Sequence, residues 1–189
     1  MQRYLLLIVG SVLSIALDQW SKIWAVNTLL RPEGSTLPTD ADHIRTTTQV
    51  WVDGFWNMRL AGNKGAAWSI FRDMPETWRV PFFVAISVVA VGVIFHLYRK
   101  AEHSLTRWSL MLILGGAIGN LIDRVRLGFV VDFIQWHYQD AFWPTFNVAD
   151  ICISVGVGLM VVDMLRQSRA ESAAKKAAKA AKGADGVEA

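Results

Sequence analysis

Two aspartates in apolar surroundings each follow an asparagine by three residues, in Asn120-x-x-Asp123 and Asn147-x-x-Asp150. On a helix, this spacing places the amide about one turn from the carboxylate on the same face, where it can donate a hydrogen bond. Two carboxylates that lie close together in a low-dielectric site cannot both ionise easily, so one keeps its proton. Such a pair supplies one acid and one base, which acid–base hydrolysis of a peptide bond requires.

The two aspartates lie at one depth if the apolar segments around them are membrane-spanning helices. Asp123 follows Arg107 by 16 residues, and Asp150 precedes Arg166 by 16 residues. At 1.5 Å per residue, both lie about 24 Å from the basic residue that marks the inner end of their segment. The same arithmetic places further polar residues in this layer: Asp18, Lys22, Asn120, Arg124 and Asn147. Ionisable residues inside a membrane are costly and are therefore functional candidates.

Four apolar segments carry this layer and predict an all-α membrane protein, a bundle of four transmembrane helices. They lie at about residues 4–26, 80–98, 105–124 and 147–165. The second segment has no formal charge and spans about 28 Å as a helix, close to the ~30 Å hydrocarbon core. Small residues on the third and fourth segments predict close helix packing: Gly115, Gly116, Gly119, Gly156 and Gly158.

Basic residues predict the orientation of the bundle. They cluster in the loop between the second and third segments and after the fourth segment: Arg99, Lys100, Arg107, Arg166, Arg169, Lys175, Lys176, Lys179 and Lys182. The positive-inside rule makes this face cytoplasmic, so both termini are expected in the cytoplasm and the polar layer near the outer face. The residues 1–170 are expected to form the membrane domain, and 171–189 an Ala/Lys-rich cytoplasmic tail.

The outer segments predict a small β-sheet subdomain at the outer face. In the loop at about residues 27–79, Val50–Val52 and Phe55–Met58 flank Asp53-Gly54, which is typical of a hairpin with a tight turn. The second outer segment, at about residues 127–145, is aromatic and is expected to lie along the surface as a short amphipathic piece.

Composition excludes several classes of protein. Hydrophobic residues make up 53% of the chain, charged residues 19%, and the formal net charge is +3. A disordered protein, a coiled coil and a highly charged nucleic-acid-binding protein are therefore excluded. The single cysteine, Cys152, excludes an internal disulfide framework and a cysteine-based zinc site. No two histidines have metal-ligand spacing.

Other interpretations of the same residues remain open. The aspartates can belong to a structural network with Lys22 and Arg124, or carry protons or ions through a transporter. Transport of protons or ions would need further charged residues along the bundle, and the third segment has none between Arg107 and Asp123. A soluble helical protein fits four such segments less well. A cleaved signal peptide over the first segment is disfavoured because no small-x-small cleavage site follows Leu17.

Five motifs in order along the chain resemble those of the bacterial lipoprotein signal peptidases (signal peptidase II), which are intramembrane aspartyl proteases. The resemblance extends from about Tyr4 to Ser168. The motifs are Asp18-Gln-Trp-Ser-Lys22, Asn63-Lys-Gly65-Ala66-Ala67-Trp68, Gly119-Asn120-Leu-Ile-Asp123-Arg124, Gly128-Phe-Val-Val-Asp132-Phe133 and Phe146-Asn147-Val-Ala149-Asp150. Each motif is weak alone, whereas five in order on four spans are specific.

The resemblance implies a catalytic dyad of Asp123 and Asp150. It implies a diacylglyceryl-modified prolipoprotein substrate that is cut just before its lipid-modified cysteine, with no metal or organic cofactor. It also implies location in the bacterial cytoplasmic (inner) membrane, contact with membrane lipid and inhibition by globomycin-type antibiotics.

The remaining motif residues are expected to support this chemistry. Those expected to bind or orient the substrate or the carboxylates are Asn63, Gly65, Ala66, Asn120, Arg124 and Asn147. Those expected to be structural are Asp18 and Lys22, as an i, i+4 pair, and Asp132, which is expected to hold the outer segment. The alternative for Asn63–Gly65 is a simple turn.

Overall fold

Four long helices form the body of the protein. The computed structural model describes residues 2–65 and 74–185. The helices are α1 (Gln2–Leu29), α2 (Glu76–Lys100), α3 (Ser104–Leu127) and α4 (Val148–Asp185). Each contains a stretch long and apolar enough to cross a membrane. The predicted four-helix membrane bundle is therefore confirmed, with helices that extend beyond the predicted spans at most ends.

The outward faces of the helices are apolar. Large side chains that are exposed there include Leu5, Ile8, Leu13, Leu17, Val88, Val89, Val161 and Met164. Apolar surface on this scale is rare on a soluble monomer and is stable when lipid covers it. The protein is therefore a multi-pass membrane protein.

Glycines allow α3 to approach its neighbours closely. A Cβ atom at Gly119 would lie 2.6 Å from Oδ2 of Asp18 on α1, and one at Gly156 of α4 would lie 2.8 Å from the backbone oxygen of Ser109. These distances are too short for a side chain, so the small residues bring the polar groups of α1, α3 and α4 into contact.

One end of the bundle carries a four-stranded antiparallel sheet, and this end is called the sheet end below. Its strands are β1 (Gln49–Val52), β2 (Trp56–Asn63), β3 (Val130–Tyr138) and β4 (Ala141–Phe142), in the order β1-β2-β3-β4. The predicted hairpin is confirmed as β1 and β2, with Gly54 at φ +71° in the turn, where a left-handed backbone favours glycine. A short 3₁₀ helix, Ala41–His43, precedes the hairpin.

The second outer segment is not a surface amphipathic piece, contrary to the sequence-based prediction. Gly128, at φ +80°, ends α3 through a hydrogen bond from its N–H to the Arg124 carbonyl. The chain then forms β3, which is buried from Val130 to Gln135 and pairs with β2. The run of valine and aromatic residues after Gly128 is typical of a buried strand, whereas its later aromatic residues favour the surface interpretation.

The apolar core lies in two clusters that flank the polar layer. One packs the sheet end of α1 against β2 and β3 through residues such as Leu29, Leu60, Phe129 and Phe133. The other lies at the opposite end and includes Leu7, Tyr98 and Leu110. The helix α4 continues past residue 170 without a break, and the division between membrane domain and tail stays a prediction.

Substituting alanine for Gly116 should separate α3 from α4. The added Cβ atom would meet the Ala149 carbonyl and lie 2.8 Å from Cγ1 of Ile153. Overpacking of this kind costs about 1–3 kcal/mol, so we expect a thermal unfolding midpoint in detergent lower by several degrees. Gly92→Ala on α2 is the matched control, because a Cβ atom there has no neighbour within 4 Å. Equal stability of the two variants would contradict this close contact.

Candidate active site

Asn147 and Asp150 cap the first turn of α4 reciprocally. Oδ1 of Asn147 accepts the backbone N–H of Asp150 at 3.0 Å, and Oδ2 of Asp150 accepts the backbone N–H of Asn147 at 3.2 Å. This is the arrangement of a capping box, which satisfies N–H groups that a helix start leaves unpaired. The three-residue spacing of Asn147 and Asp150 therefore has a local structural reason, and it fixes the backbone beside the Asp150 side chain.

Asp18 of α1 also holds the start of α4. Its Oδ1 accepts the backbone N–H of Ala149 at 2.9 Å, and its other oxygen lies 2.8 Å from Nζ of Lys22. The predicted i, i+4 contact of Asp18 with Lys22 is therefore present, and both side chains are buried. An acidic group at a helix N-terminus is favourable because the first N–H groups and the helix dipole both attract it.

Lys22 has three acceptors around its ammonium group. Besides Asp18, these are Oδ2 of Asp123 at 2.9 Å and Oδ1 of Asn120 at 3.0 Å, both on α3. An ammonium group has three N–H donors, so every donor has a partner. This ion-pair network is the structural alternative that the sequence left open for Asp123.

Both oxygens of the Asp123 carboxylate are occupied by contacts within the fold. Its Oδ1 accepts a hydrogen bond from Nε2 of Gln19 at 3.0 Å, and its Oδ2 accepts the backbone N–H of Val131 at 3.1 Å in addition to Lys22. The Asp123 side chain is 4% exposed. Asp123 thus ties α1, α3 and β3 together.

Asn120 connects this network to Asp150. Its Nδ2 donates to Oδ1 of Asp150 at 2.8 Å, while its Oδ1 accepts from Lys22 and from Nδ2 of Asn147 at 3.1 Å. Asn120 and the Asn147 backbone therefore both contact the Asp150 carboxylate. The spacing predicted a different pairing, in which the Asn120 amide donates to Asp123 and the Asn147 amide to Asp150.

Asp132 lies on the other side of Asn147. Nδ2 of Asn147 donates to Oδ1 of Asp132 at 2.6 Å, and the Asn63 side chain donates a second hydrogen bond. The sheet register explains the Asn63 contact, because Ala61 pairs with Asp132 and places Asn63 two residues further along β2. Burial, and secondarily the charge of Asp150, raises the pKa of Asp132 to about 8 against the lowering effect of these hydrogen bonds.

A cavity of about 880 Å³ opens between the sheet and α4, and Asp132 and Asp150 both line it. Its polar wall includes Asn63, Gly65, Asn120 and Arg124, and its apolar wall includes Trp136, Trp143, Phe146, Ile151 and Val155. Asp123 is not among the described residues that line the cavity. The carboxylate pair that faces the cavity is therefore Asp132 with Asp150 and not the expected Asp123 with Asp150.

The reason for this difference is the path of the chain after α3. The depth arithmetic treats only helices, whereas β3 turns back at Gly128 and runs beside the start of α4. Phe146 pairs with Ile134, which brings the next residue, Asn147, against β3. A pairing between distant segments of this kind has no signature in helical spacing.

Arg124 joins the loop after β2 to the bundle. One guanidinium nitrogen donates to the backbone oxygen of Gly65 at 2.9 Å, and the guanidinium lies 4.4 Å from the ring centroid of Phe83 on α2. Oδ1 of Asn63 accepts the Gly65 N–H at 3.0 Å, so the turn that the sequence offered as the alternative at Asn63–Gly65 is present. Ala66 lies outside the described residues.

The sequence did not single out two further contacts at this site. Gln19 bridges Asp123, Asp18 and the Gly119 carbonyl, and only its place beside Asp18 in a motif pointed to it. Lys64 lines the cavity and forms ion pairs with Asp40 and Asp42 at the 3₁₀ helix. These hydrogen-bonded ion pairs raise the pKa of Lys64 and lower the pKa of Asp40 to about 2. Within residues 2–65 and 74–185, no group of His, Cys, Asp and Glu is arranged to hold a metal ion.

The fold and the site define a multi-pass membrane protein with a cavity, lined by two aspartates, at one end of its helix bundle. Residues 10–166 match the family model of signal peptidase (SPase) II, and the chain belongs to this family. Members of this family are proteases that remove signal peptides from prolipoproteins.

Similar proteins agree with this assignment. A lipoprotein signal peptidase of Anaeromyxobacter sp. is 38% identical over 85% of this chain and 84% of its own length. One of Symbiobacterium thermophilum is 36% identical over 89% of this chain and 100% of its own length. A solved structure described as a bacterial membrane enzyme is 26% identical, with a TM-score of 0.67 over 86% of this chain and 88% of that chain.

The reciprocal cap predicts graded effects of substitution at Asn147. Asn147→Ala removes the cap and the donor to Asp132, and loss of an N-cap alone costs about 1 kcal/mol. Asn147→Ser restores an oxygen that can cap α4 but no amide that reaches Asp132. We therefore expect thermal stability in detergent to fall in the order wild type, Asn147→Ser, Asn147→Ala. A serine variant no more stable than the alanine variant would show that the cap contributes little.

Proposed function

We propose that this protein is an aspartyl endopeptidase that cleaves diacylglyceryl-modified prolipoproteins just before the lipid-modified cysteine, with Asp132 and Asp150 as its catalytic pair. The observation that carries this assignment is that these two carboxylates line one cavity. Asp123, which the sequence favoured, holds Lys22, Gln19 and the backbone of β3 instead. We assign to Asp123 a structural role.

The environments of the two cavity carboxylates suit different roles. Burial raises the pKa of Asp132 to about 8, so at neutral pH this group carries a proton that it can donate. Both oxygens of Asp150 accept hydrogen bonds, from the Asn120 amide and from the Asn147 backbone, which hold the carboxyl group in place beside the cavity. Asp132 is thus the acid and Asp150 the base.

Hydrolysis then follows the general acid–base scheme. Asp150 takes a proton from a water molecule as the water oxygen attacks the carbonyl carbon of the scissile bond, and Asp132 donates its proton to the carbonyl oxygen. When the tetrahedral intermediate collapses, the C–N bond breaks and Asp150 passes its proton to the leaving nitrogen. Asp132 takes back the proton of one hydroxyl group as the carbonyl re-forms, and the pair returns to its starting state.

The walls of the cavity suit a substrate that lies partly in lipid. Ile151 and Val155 extend the apolar wall along α4, whereas Asn63 and Gly65 offer polar groups at the sheet end. A peptide bond near the membrane surface can therefore meet the carboxylates while apolar parts of the substrate remain against α4. We expect a globomycin-type inhibitor to bind in the same cavity.

The basic residues at the end opposite the sheet support an orientation for the proposed reaction. Under the positive-inside rule, both termini lie in the cytoplasm and the cavity lies near the outer face of the bacterial inner membrane. A transporter or a membrane scaffold with a buried ion-pair network is the alternative function. It is favoured only by the Lys22 network, and it does not require both cavity carboxylates.

Cleavage of a lipidated precursor separates these functions. We expect purified wild-type protein in detergent to cleave a diacylglyceryl-modified prolipoprotein, and Asp132→Asn and Asp150→Asn each to lose at least about 10³-fold in kcat while remaining folded. Asparagine keeps the size of the side chain and removes its acid–base function. A wild-type protein inactive on this substrate would favour the transporter or scaffold.

Asp123→Asn is the matched variant that distinguishes the two candidate pairs. It removes the charge that partners Lys22, so we expect lower thermal stability but measurable cleavage per folded molecule. The opposite pattern, with Asp123→Asn inactive although folded and Asp132→Asn active, would restore the pair expected from the sequence.

The pH dependence of cleavage should report Asp132. Because its pKa is raised to about 8 and the acid must be protonated, kcat/KM should fall as the pH rises through about 8. The hydrogen bond from Asn63 lowers this pKa, so Asn63→Ala should move the alkaline limb to higher pH. A pH–rate profile measured in both proteins tests this, and a limb that moves to lower pH would contradict the assignment.

A further inference from the structure

Lys22 lies outside the cavity, yet it contacts a residue that contacts a cavity carboxylate. Lys22 is not among the described residues that line the cavity, and its side chain is 4% exposed. Its Nζ reaches Oδ1 of Asn120 at 3.0 Å, and Nδ2 of the same amide reaches Asp150 at 2.8 Å. The ammonium group is thus separated from the carboxylate by one side-chain amide.

This contact gives the Asn120 amide a single orientation. A protonated lysine donates only, so it can face the amide oxygen and not the amide NH₂ group. Asn147 adds a second donor to the same oxygen at 3.1 Å, and the Asn147 amide is itself fixed because its oxygen accepts the Asp150 N–H. With its oxygen occupied twice, Asn120 must turn its NH₂ group toward Asp150.

We propose that Lys22 is a positioning residue that acts through Asn120 to keep Asp150 as the hydrogen-bond acceptor, and hence the base, of the catalytic pair. The inference rests on the proposed function, since it assigns the roles within the Asp132–Asp150 pair. Asp150 has a donor on each oxygen, and the donor on Oδ1 is the Asn120 amide that Lys22 orients. Lys22 also pairs with Asp18 and Asp123, and this structural role is separate from the contact with Asn120.

A charge-compensated variant separates the two roles of Lys22. Lys22→Met alone would leave Asp18 and Asp123 without their cation, so the test uses Lys22→Met combined with Asp18→Asn, and Asp18→Asn alone is the control. The control keeps the contact between Lys22 and Asn120. Steady-state cleavage of the lipidated precursor is measured for each variant, per folded molecule.

We expect the combined variant to lose about tenfold or more in kcat relative to Asp18→Asn, with KM unchanged, because a hydrogen bond to a charged group has lost its orientation. Adding Asn120→Ala to the combined variant should cause no further loss, whereas Asn120→Ala alone should lower kcat to the same extent. Non-additivity of this kind is the signature of residues that act through one another. Losses that multiply, or an unchanged kcat in the combined variant, would overturn the proposal.

A second variant tests the proposal even if every Lys22 variant fails to fold. Asn120→Asp keeps the size of the side chain and an acceptor for Lys22, but it offers no donor to Asp150. Its kcat should fall as far as that of Asn120→Ala, and a kcat close to that of wild type would overturn the proposal. Asp132→Asn and Asp150→Asn are assayed in parallel, and turnover by either shows that the proposed function, and not the role of Lys22, has failed.

Discussion

An ammonium group inside a membrane-spanning helix needs opposite charge and a full set of acceptors, because an unpaired ion there costs several kcal/mol or more. In this protein, Lys22 meets that requirement with Asp18 from its own helix and with Asp123 and Asn120 from α3. The three acceptors surround Nζ only when α1 and α3 have one relative rotation and depth. The register of the bundle therefore depends on this buried lysine, and the glycines of α3 allow the approach that it requires.

The two carboxylates that pair with Lys22 also fix the position of β3 and of the start of α4. Asp123 accepts the backbone N–H of Val131, and Asp18 accepts that of Ala149. Each of these amides belongs to the residue directly before a cavity carboxylate, Asp132 in β3 and Asp150 in α4. The strand and the helix that carry the cavity carboxylates are thus held at corresponding points by one ion-pair network.

The extent to which the sequence predicts this architecture depends on how local each contact is. The four helices, the Gly54 hairpin and the contact of Asp18 with Lys22 follow from hydropathy, turn chemistry and i, i+4 spacing, and the structure contains them. The place of Asp132 follows from the pairing of β3 with β2 and with Phe146, which join distant segments. Counting residues along helices gives the depth of Asp123 in the membrane but not that of Asp132, because Asp132 lies on a strand that turns back beside the bundle. The helical count therefore cannot show which of the two lies beside Asp150.

What separates the three aspartates is the kind of donor that each one holds. Asp123 contacts a cation, an amide and a backbone N–H, so both of its oxygens are occupied by contacts within the fold. Asp132 is as deeply buried, but its direct donors are the amides of Asn63 and Asn147, and the nearby charge of Asp150 opposes its ionisation. Neutral amides offset burial only in part, so the pKa of Asp132 stays at about 8 and the group keeps its proton at neutral pH. This difference in donors supports the proposal that Asp132, and not Asp123, is the acid beside Asp150.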